Sequence, residues 1–139
     1  MILLDTNVLS ELMRPYPAAE VLRWMAAHPA SQLFTTTITQ AEILYGLEVM
    51  PKGKRRTALQ LSIYAMFEED FADRILPFDS DAARVFPKIA GSRRALGRPM
   101  AQWDAQIAAI AHSRGAALAT RNTNDFEHCG IRVVDPWTD

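Results

Sequence analysis

Short apolar runs alternating with helix-patterned stretches predict an α/β protein: a three-layer α/β/α sandwich on a mostly parallel central sheet of about five strands. Three observations carry that expectation. Ile2-Leu3-Leu4 and Ala116–Thr120 (AALAT) are short and almost wholly apolar, as strands buried on both faces require. Between the strand candidates lie segments with apolar residues three and four apart. The chain has 139 residues, so one domain spanning 1–139 is expected, large enough to bury about two-thirds of its unfolded surface.

The elements follow in order. The first strand ends at Asp5, and Val8, Leu9 and Leu12 begin a helix. Arg14-Pro15-Tyr16-Pro17 breaks it. Val21, Trp24, Met25 and His28 mark one face of a second helix, which Pro29 ends; His28 reads as a satisfied boundary histidine. Gln32–Thr37 (QLFTTT) is the second strand. Thr39-Gln40-Ala41-Glu42 has capping-box spacing and opens a helix through Val49, closed by Pro51. Lys52-Gly53-Lys54-Arg55-Arg56 is a basic run without interleaved aromatics, which suits a solvated surface better than a phosphate contact. The helix from Thr57 to about Phe71 has more apolar positions than one buried stripe needs, so a second face is available to a partner subunit.

Arg74–Phe78 (RILPF) is a third strand, weakened by Pro77. Asp79 or Ser80 starts a helix bearing Ala82, Val85, Phe86 and Ile89, which Pro87 and Gly91 should kink or interrupt. Arg93, Arg94 and Arg98 read as a solvated basic cluster, and Gly97-Arg98-Pro99 as a loop. Asp104 opens a helix with Ile107, Ile110 and Ala111 on one face and Gly115 as its stop. The fourth strand runs into a polar loop, Arg121–Phe126, and Ile131–Val134 is the fifth, ended by Pro136.

Composition narrows the function. Hydrophobic residues are 49% and charged residues 22%, an ordinary globular balance. A formal net charge of -1 excludes a polycation, so nucleic-acid binding would rely on local patches or a bridging metal. The single cysteine, Cys129, excludes an intrachain disulfide and fits a reducing, cytoplasmic setting. Neither a signal peptide nor a membrane span is legible.

Four acids stand out. Asp5 follows strand one, Glu42 lies near the start of the helix after strand two, and Asp125 is in the loop after strand four. In a parallel sheet those strand exits share one edge, where open α/β sheets place their ligands. Asp104 precedes strand four and reaches that edge only if the Gly97–Trp103 loop crosses over it. Each acid also has a plainer reading as a helix cap. Converging carboxylates repel and call for a cation, and oxygen donors without His or Cys suit Mg²⁺ or Mn²⁺. Such sites usually act on phosphate esters. The chain contains no GxxxxGK[ST], GxGxxG or GxSxG motif.

MILLDTNVLSEL, TTTITQAEILYGL, RILPFD, WDAQIAAIAHSRGAALATRNTNDF and the ending VVDPW together resemble the PIN-domain toxins of bacterial toxin–antitoxin modules, the VapC/FitB type, over essentially the whole chain. The resemblance implies a metal-dependent endoribonuclease using Mg²⁺, with Mn²⁺ as substitute. Its products would carry 5′-phosphate and 3′-hydroxyl ends. It implies a cognate antitoxin that holds the enzyme inactive, and contact with DNA only through that antitoxin. A homodimer is expected. Asp5, Glu42 and Asp104 match the family's core acids. The fourth acid falls on Asn122 or Asp125, and Asp125 is expected to supply charge from the rim. Thr6, Asn7 and Thr120 match polar positions lining the family's site. Trp103 stands where many members carry a smaller residue. Two other functions fit parts of the pattern. A haloacid-dehalogenase-type phosphatase would use Asp5 as nucleophile, but Asn7 replaces its second Asp. A PIN-like subunit of a DNA-binding regulatory complex would need no nuclease activity.

Overall fold

A computed structural model describes all residues, Met1–Asp139. Five strands form one parallel sheet: β1 (Ile2–Leu4), β2 (Leu33–Thr36), β3 (Ile75–Leu76), β4 (Ala117–Ala119) and β5 (Val133–Val134). Their order is β3-β2-β1-β4-β5. The chain steps outward from β1 in one direction through β2 and β3, then restarts on the other side of β1 with β4 and β5. The switch point therefore lies between the carboxyl ends of β1 and β4. Alternation along β1 separates two cores. Ile2 and Leu4 join one with α1 (Thr6–Leu12), α2 (Ala19–Ala26), α3 (Thr37–Glu48) and α4 (Lys54–Ala65). Leu3 joins the other with α5 (Ser80–Ala95) and α6 (Gln102–Arg114). Ala117 and Ala119 against Leu118 repeat that division on β4, giving the three layers the sequence predicts.

Several boundaries differ from expectation. Thr36, not Thr39, caps α3: its hydroxyl accepts the Thr39 amide at 3.1 Å. Glu42 thus lies inside the helix and has no capping role. α4 begins at Lys54, within the basic run, because Gly53 ends the preceding turn with φ 156° and the next residues are good helix formers. It passes into a π-helical turn at Met66–Asp70 that buries Met66 and Phe67. Neither Pro87 nor Gly91 interrupts α5. The exposed Pro87 sits on the solvent side, and the buried Ala82, Ile89 and Arg93 hold the helix against its neighbour.

Asp79 caps α5 through the Ala82 amide at 3.0 Å and meets Arg114, at the end of α6, at 3.6 Å. The two helices are therefore antiparallel. β4 begins directly after α6, separated by the left-handed Gly115 with φ 62°. α6 consequently runs against the strands and starts at the carboxyl edge of the sheet. The added helix α5 brings the chain there, which removes the topological obstacle to Asp104. β3 is only two residues long and lies at the sheet edge, where Pro77 costs no ladder bond. No helix is long and apolar enough to cross a membrane.

Candidate active site at the carboxyl edge

Asp5 leaves β1 at the switch point and is 5% exposed. Its amide donates to Ala119 O at 2.9 Å, extending the β1–β4 ladder by one residue. Its Oδ1 accepts the Thr6 amide at 2.8 Å, so it does cap α1. Its Oδ2 accepts the Thr120 hydroxyl at 2.7 Å and the Asn7 amide nitrogen at 3.4 Å. The cap reading holds for this residue and uses one oxygen, and Asp5 also lines the cleft at the carboxyl edge.

Thr120 is the hub of this corner. It is fully buried, and besides donating to Asp5 it accepts from Asn7 Nδ2 and from the Asn122 amide, each at 3.1 Å. Asn7 Oδ1 in turn accepts the Arg121 amide at 3.1 Å. The four polar residues expected to line the site, Thr6, Asn7, Thr120 and Asn122, all converge on this corner. Thr6 donates to Thr39 at 3.3 Å, joining α1 to the start of α3, from which Glu42 projects one turn later.

Glu42 and Asp104 face Asp5 across a cleft of about 580 Å³ whose walls also include Glu11, Arg14, Arg121, Asn122 and Trp137. Burial lifts the Glu42 carboxyl to about 7, with the charges of Asp5 and Asp104 adding to the rise and the Thr6 hydroxyl opposing it. Burial likewise lifts Asp104 to about 6, aided by the charges of Asp5 and Asp125 and opposed by Arg93. Asp5 is raised by burial and by Asp125, against the hydrogen bonds from Thr120 and Thr6. The three acids therefore share one electrostatic field. Glu11 differs: the Ala18 amide at 2.8 Å and Arg14 hold its carboxyl below the usual range, and it braces the turn after α1.

Asp104 is the third residue of α6 rather than its opening residue. Asp125 is exposed and lies in a 3₁₀ turn, Thr123–Phe126. Its side chain makes no hydrogen bond, so capping does not account for it. Its charge nonetheless reaches Asp5 and Asp104. Asn122 lines the cleft wall, and Asp125 does not.

Sequence reasoning missed Arg93. Rather than belonging to a solvated cluster, it is 4% exposed. Its Nε donates to Arg98 O at 2.8 Å, and one terminal nitrogen donates to Asp125 O at 2.8 Å and Glu127 O at 2.9 Å. It thus pins the loop that bears Asp125 and weakens the repulsion on Asp104. The signal was present: Ala82, Phe86, Ile89 and Arg93 follow one helical face. Cys129 is buried beside Arg93 and Met100, in keeping with a structural role.

The donor set is oxygen only. No three Asp, Glu, His or Cys side chains close on one point as a ready-made cage. Oxygen donors suit Mg²⁺, which keeps several waters and is commonly held by one or two carboxylates rather than by an all-protein shell. Three carboxylates at one edge, each raised chiefly by burial, offer the charge such an ion would relieve, so the donor chemistry fits it.

A parallel α/β sandwich with a carboxylate cluster at its switch point defines a class of protein whose chemistry lies at the carboxyl edge of the sheet. Comparison with known proteins makes the class specific. The PIN domain family model matches residues 2–131. The chain is 40% identical over 137 residues to the VapC ribonuclease Y4jK of Sinorhizobium fredii, covering 99% of this chain and 98% of that one. It is 35% identical over 139 residues to the toxin FitB of Neisseria gonorrhoeae, covering 100% of both. The solved structure of FitAB bound to an IR36 DNA fragment matches with a TM-score of 0.93 at 34% identity, over 100% of this chain and 97% of that one. The chain belongs to the PIN-domain family, among the VapC/FitB-type toxins.

Proposed function

We propose that the chain is a metal-dependent endoribonuclease toxin of a type II toxin–antitoxin module, hydrolysing RNA phosphodiesters. The observation that carries this reading is the trio of Asp5, Glu42 and Asp104, drawn from three separate parts of the chain to one edge and each raised chiefly by burial. The ribonuclease name of the Sinorhizobium relative supports it. Asp5, Glu42 and Asp104 would hold Mg²⁺, or Mn²⁺ in its place, and Asp125 would add charge from the rim. Bound there, the ion supplies Lewis-acid stabilisation of the phosphate and activates a water. Thr120 and Asn7 keep the Asp5 carboxylate turned into the cleft. Glu42 and Asp104, half-buried, would share the charge of the bound ion.

A small antitoxin would hold the toxin inactive, and DNA would be reached through that partner, as the FitAB complex on DNA suggests by analogy. A basic antitoxin side chain in the acid cleft would displace the ion. The chain would pair with a second copy through the outward face of α4, where Leu61 and Tyr64 are exposed.

The test is incubation of the purified, antitoxin-free chain with cellular RNA, with and without Mg²⁺ or Mn²⁺, and mapping of the cut ends. Metal-dependent cuts with 5′-phosphate and 3′-hydroxyl ends are expected. Cleavage that persists in chelator, or in Asp5→Asn, contradicts the proposal.

A further inference from the structure

One cation in the acid cleft makes no salt bridge, although its charge, with that of Arg14, helps hold the Glu11 carboxyl below its usual range. Of the two arginines on its walls, Arg14 is tied to Glu11 at 3.1 Å. Arg121 has no carboxylate within ion-pair distance. Its guanidinium carbon instead lies 4.9 Å from the ring centroid of Trp137. The indole is itself anchored: it packs against the core beneath α1 and α2, and its amide donates to Asp135 Oδ1 at 2.9 Å. The Arg121 amide is fixed by Asn7, the residue that also reaches Asp5. A planar cation is therefore held on a rigid aromatic platform, at the rim of a site otherwise dominated by negative charge.

We propose that Arg121, oriented by Trp137, grips a backbone phosphate of the RNA strand beside the acid edge; this rests on the nuclease reading above. The acids repel a polyanion, and a guanidinium free of a salt bridge at their rim favours its approach. A guanidinium meets phosphate through paired N–H donors in a fixed plane, and stacking on an indole sets that plane before substrate arrives. Arg121 is a substrate-positioning residue. Trp137 positions Arg121.

The experiment uses the full chain, wild type and the variants Arg121→Ala, Arg121→Lys and Trp137→Leu. Steady-state cleavage of a single-stranded RNA in Mg²⁺ gives KM and kcat. Fluorescence anisotropy of the labelled RNA in Ca²⁺ gives Kd across a salt series. Arg121→Ala should raise KM and Kd about tenfold with kcat within about twofold, as loss of one phosphate contact predicts. Its slope of log affinity against log salt should be shallower by about 0.7. Arg121→Lys should restore the slope, and Trp137→Leu should raise KM while keeping the slope. Arg121 is exposed, so its variants should melt with the wild type. Wild-type KM, Kd and salt slope in Arg121→Ala overturn the inference, as does a fall in kcat alone; both leave the nuclease reading standing if the wild type cuts RNA. A wild type that neither binds nor cuts RNA overturns both.

Discussion

Thr120 illustrates how much a single buried hydroxyl organises here. It donates to Asp5 and accepts from Asn7 and from the backbone of Asn122, so both sides of the switch point depend on it. Thr120→Val keeps the shape and removes the hydroxyl. Asp5, the buried partner, loses its shortest hydrogen bond and Asn7 and Asn122 lose their acceptor, which costs about 1–3 kcal/mol. Denaturant titration should report that loss, and Thr120→Ser should recover most of it. Glu42 gives the opposite sign. Its carboxyl rises from 4.5 to about 7 on folding. Between those values the native state binds more protons than the unfolded chain, so stability falls as pH rises through that window. Glu42→Gln removes the ionised group. In chelator it should melt higher than wild type at pH 8 and with wild type at pH 4. Equal melting at both pH values would mean that Glu42 ionises without penalty and lies outside the shared field.

At the scale of elements, the helical hairpin α5–α6 decides whether the site exists. It brings α6 to the carboxyl edge and, through Arg93, fixes the loop bearing Asp125. Arg93→Leu leaves three backbone carbonyls without their donor, so we expect a loss of about 3 kcal/mol or more. Limited proteolysis of the variant should cut first between residues 121 and 130. Wild-type stability and proteolysis would show that the loop stands without it. The elements themselves were legible, because apolar runs and 3.6-residue spacing survive tertiary context. Boundaries were less so. The Thr39–Glu42 spacing resembles a capping box, yet the chain caps with Thr36, since the strand ends one residue before Thr37. Pro87 suggested a break, but burial of Ile89 and Arg93 beyond it outweighs one missing backbone bond. Arg93 was misread because residue type was weighed above helical position.

For the whole molecule, Asp5, Glu42 and Asp104 could be picked out from sequence, whereas their convergence depended on a topology that spacing alone did not supply. Local sequence cannot reveal that α6 starts at the carboxyl edge; the antiparallel packing of α5 on α6 determines it. The outward face of α4 belongs to this scale too. Leu61 is 68% exposed and Tyr64 45%, although the helix buries Ile63 on its other side. An unpartnered apolar face of this kind is expected to be covered by a second copy. Light scattering should give a dimer mass for the wild type and a monomer mass for Leu61→Glu combined with Tyr64→Glu. A monomeric wild type at tens of micromolar would contradict the homodimer.

In the proposed function, three carboxylates from the β1–α1 junction, α3 and α6 hold the ion used to cut RNA. The most direct measurement is cleavage rate against Mg²⁺ concentration for the wild type, Asp5→Asn, Asp104→Asn, Asp125→Asn and Asn122→Asp. Asp5→Asn and Asp104→Asn should be inactive at every concentration. Asp125→Asn should shift the curve modestly to higher Mg²⁺, and Asn122→Asp should shift it lower by adding a nearer charge. Full activity in Asp5→Asn or Asp104→Asn, or a rate independent of Mg²⁺, would contradict the claim.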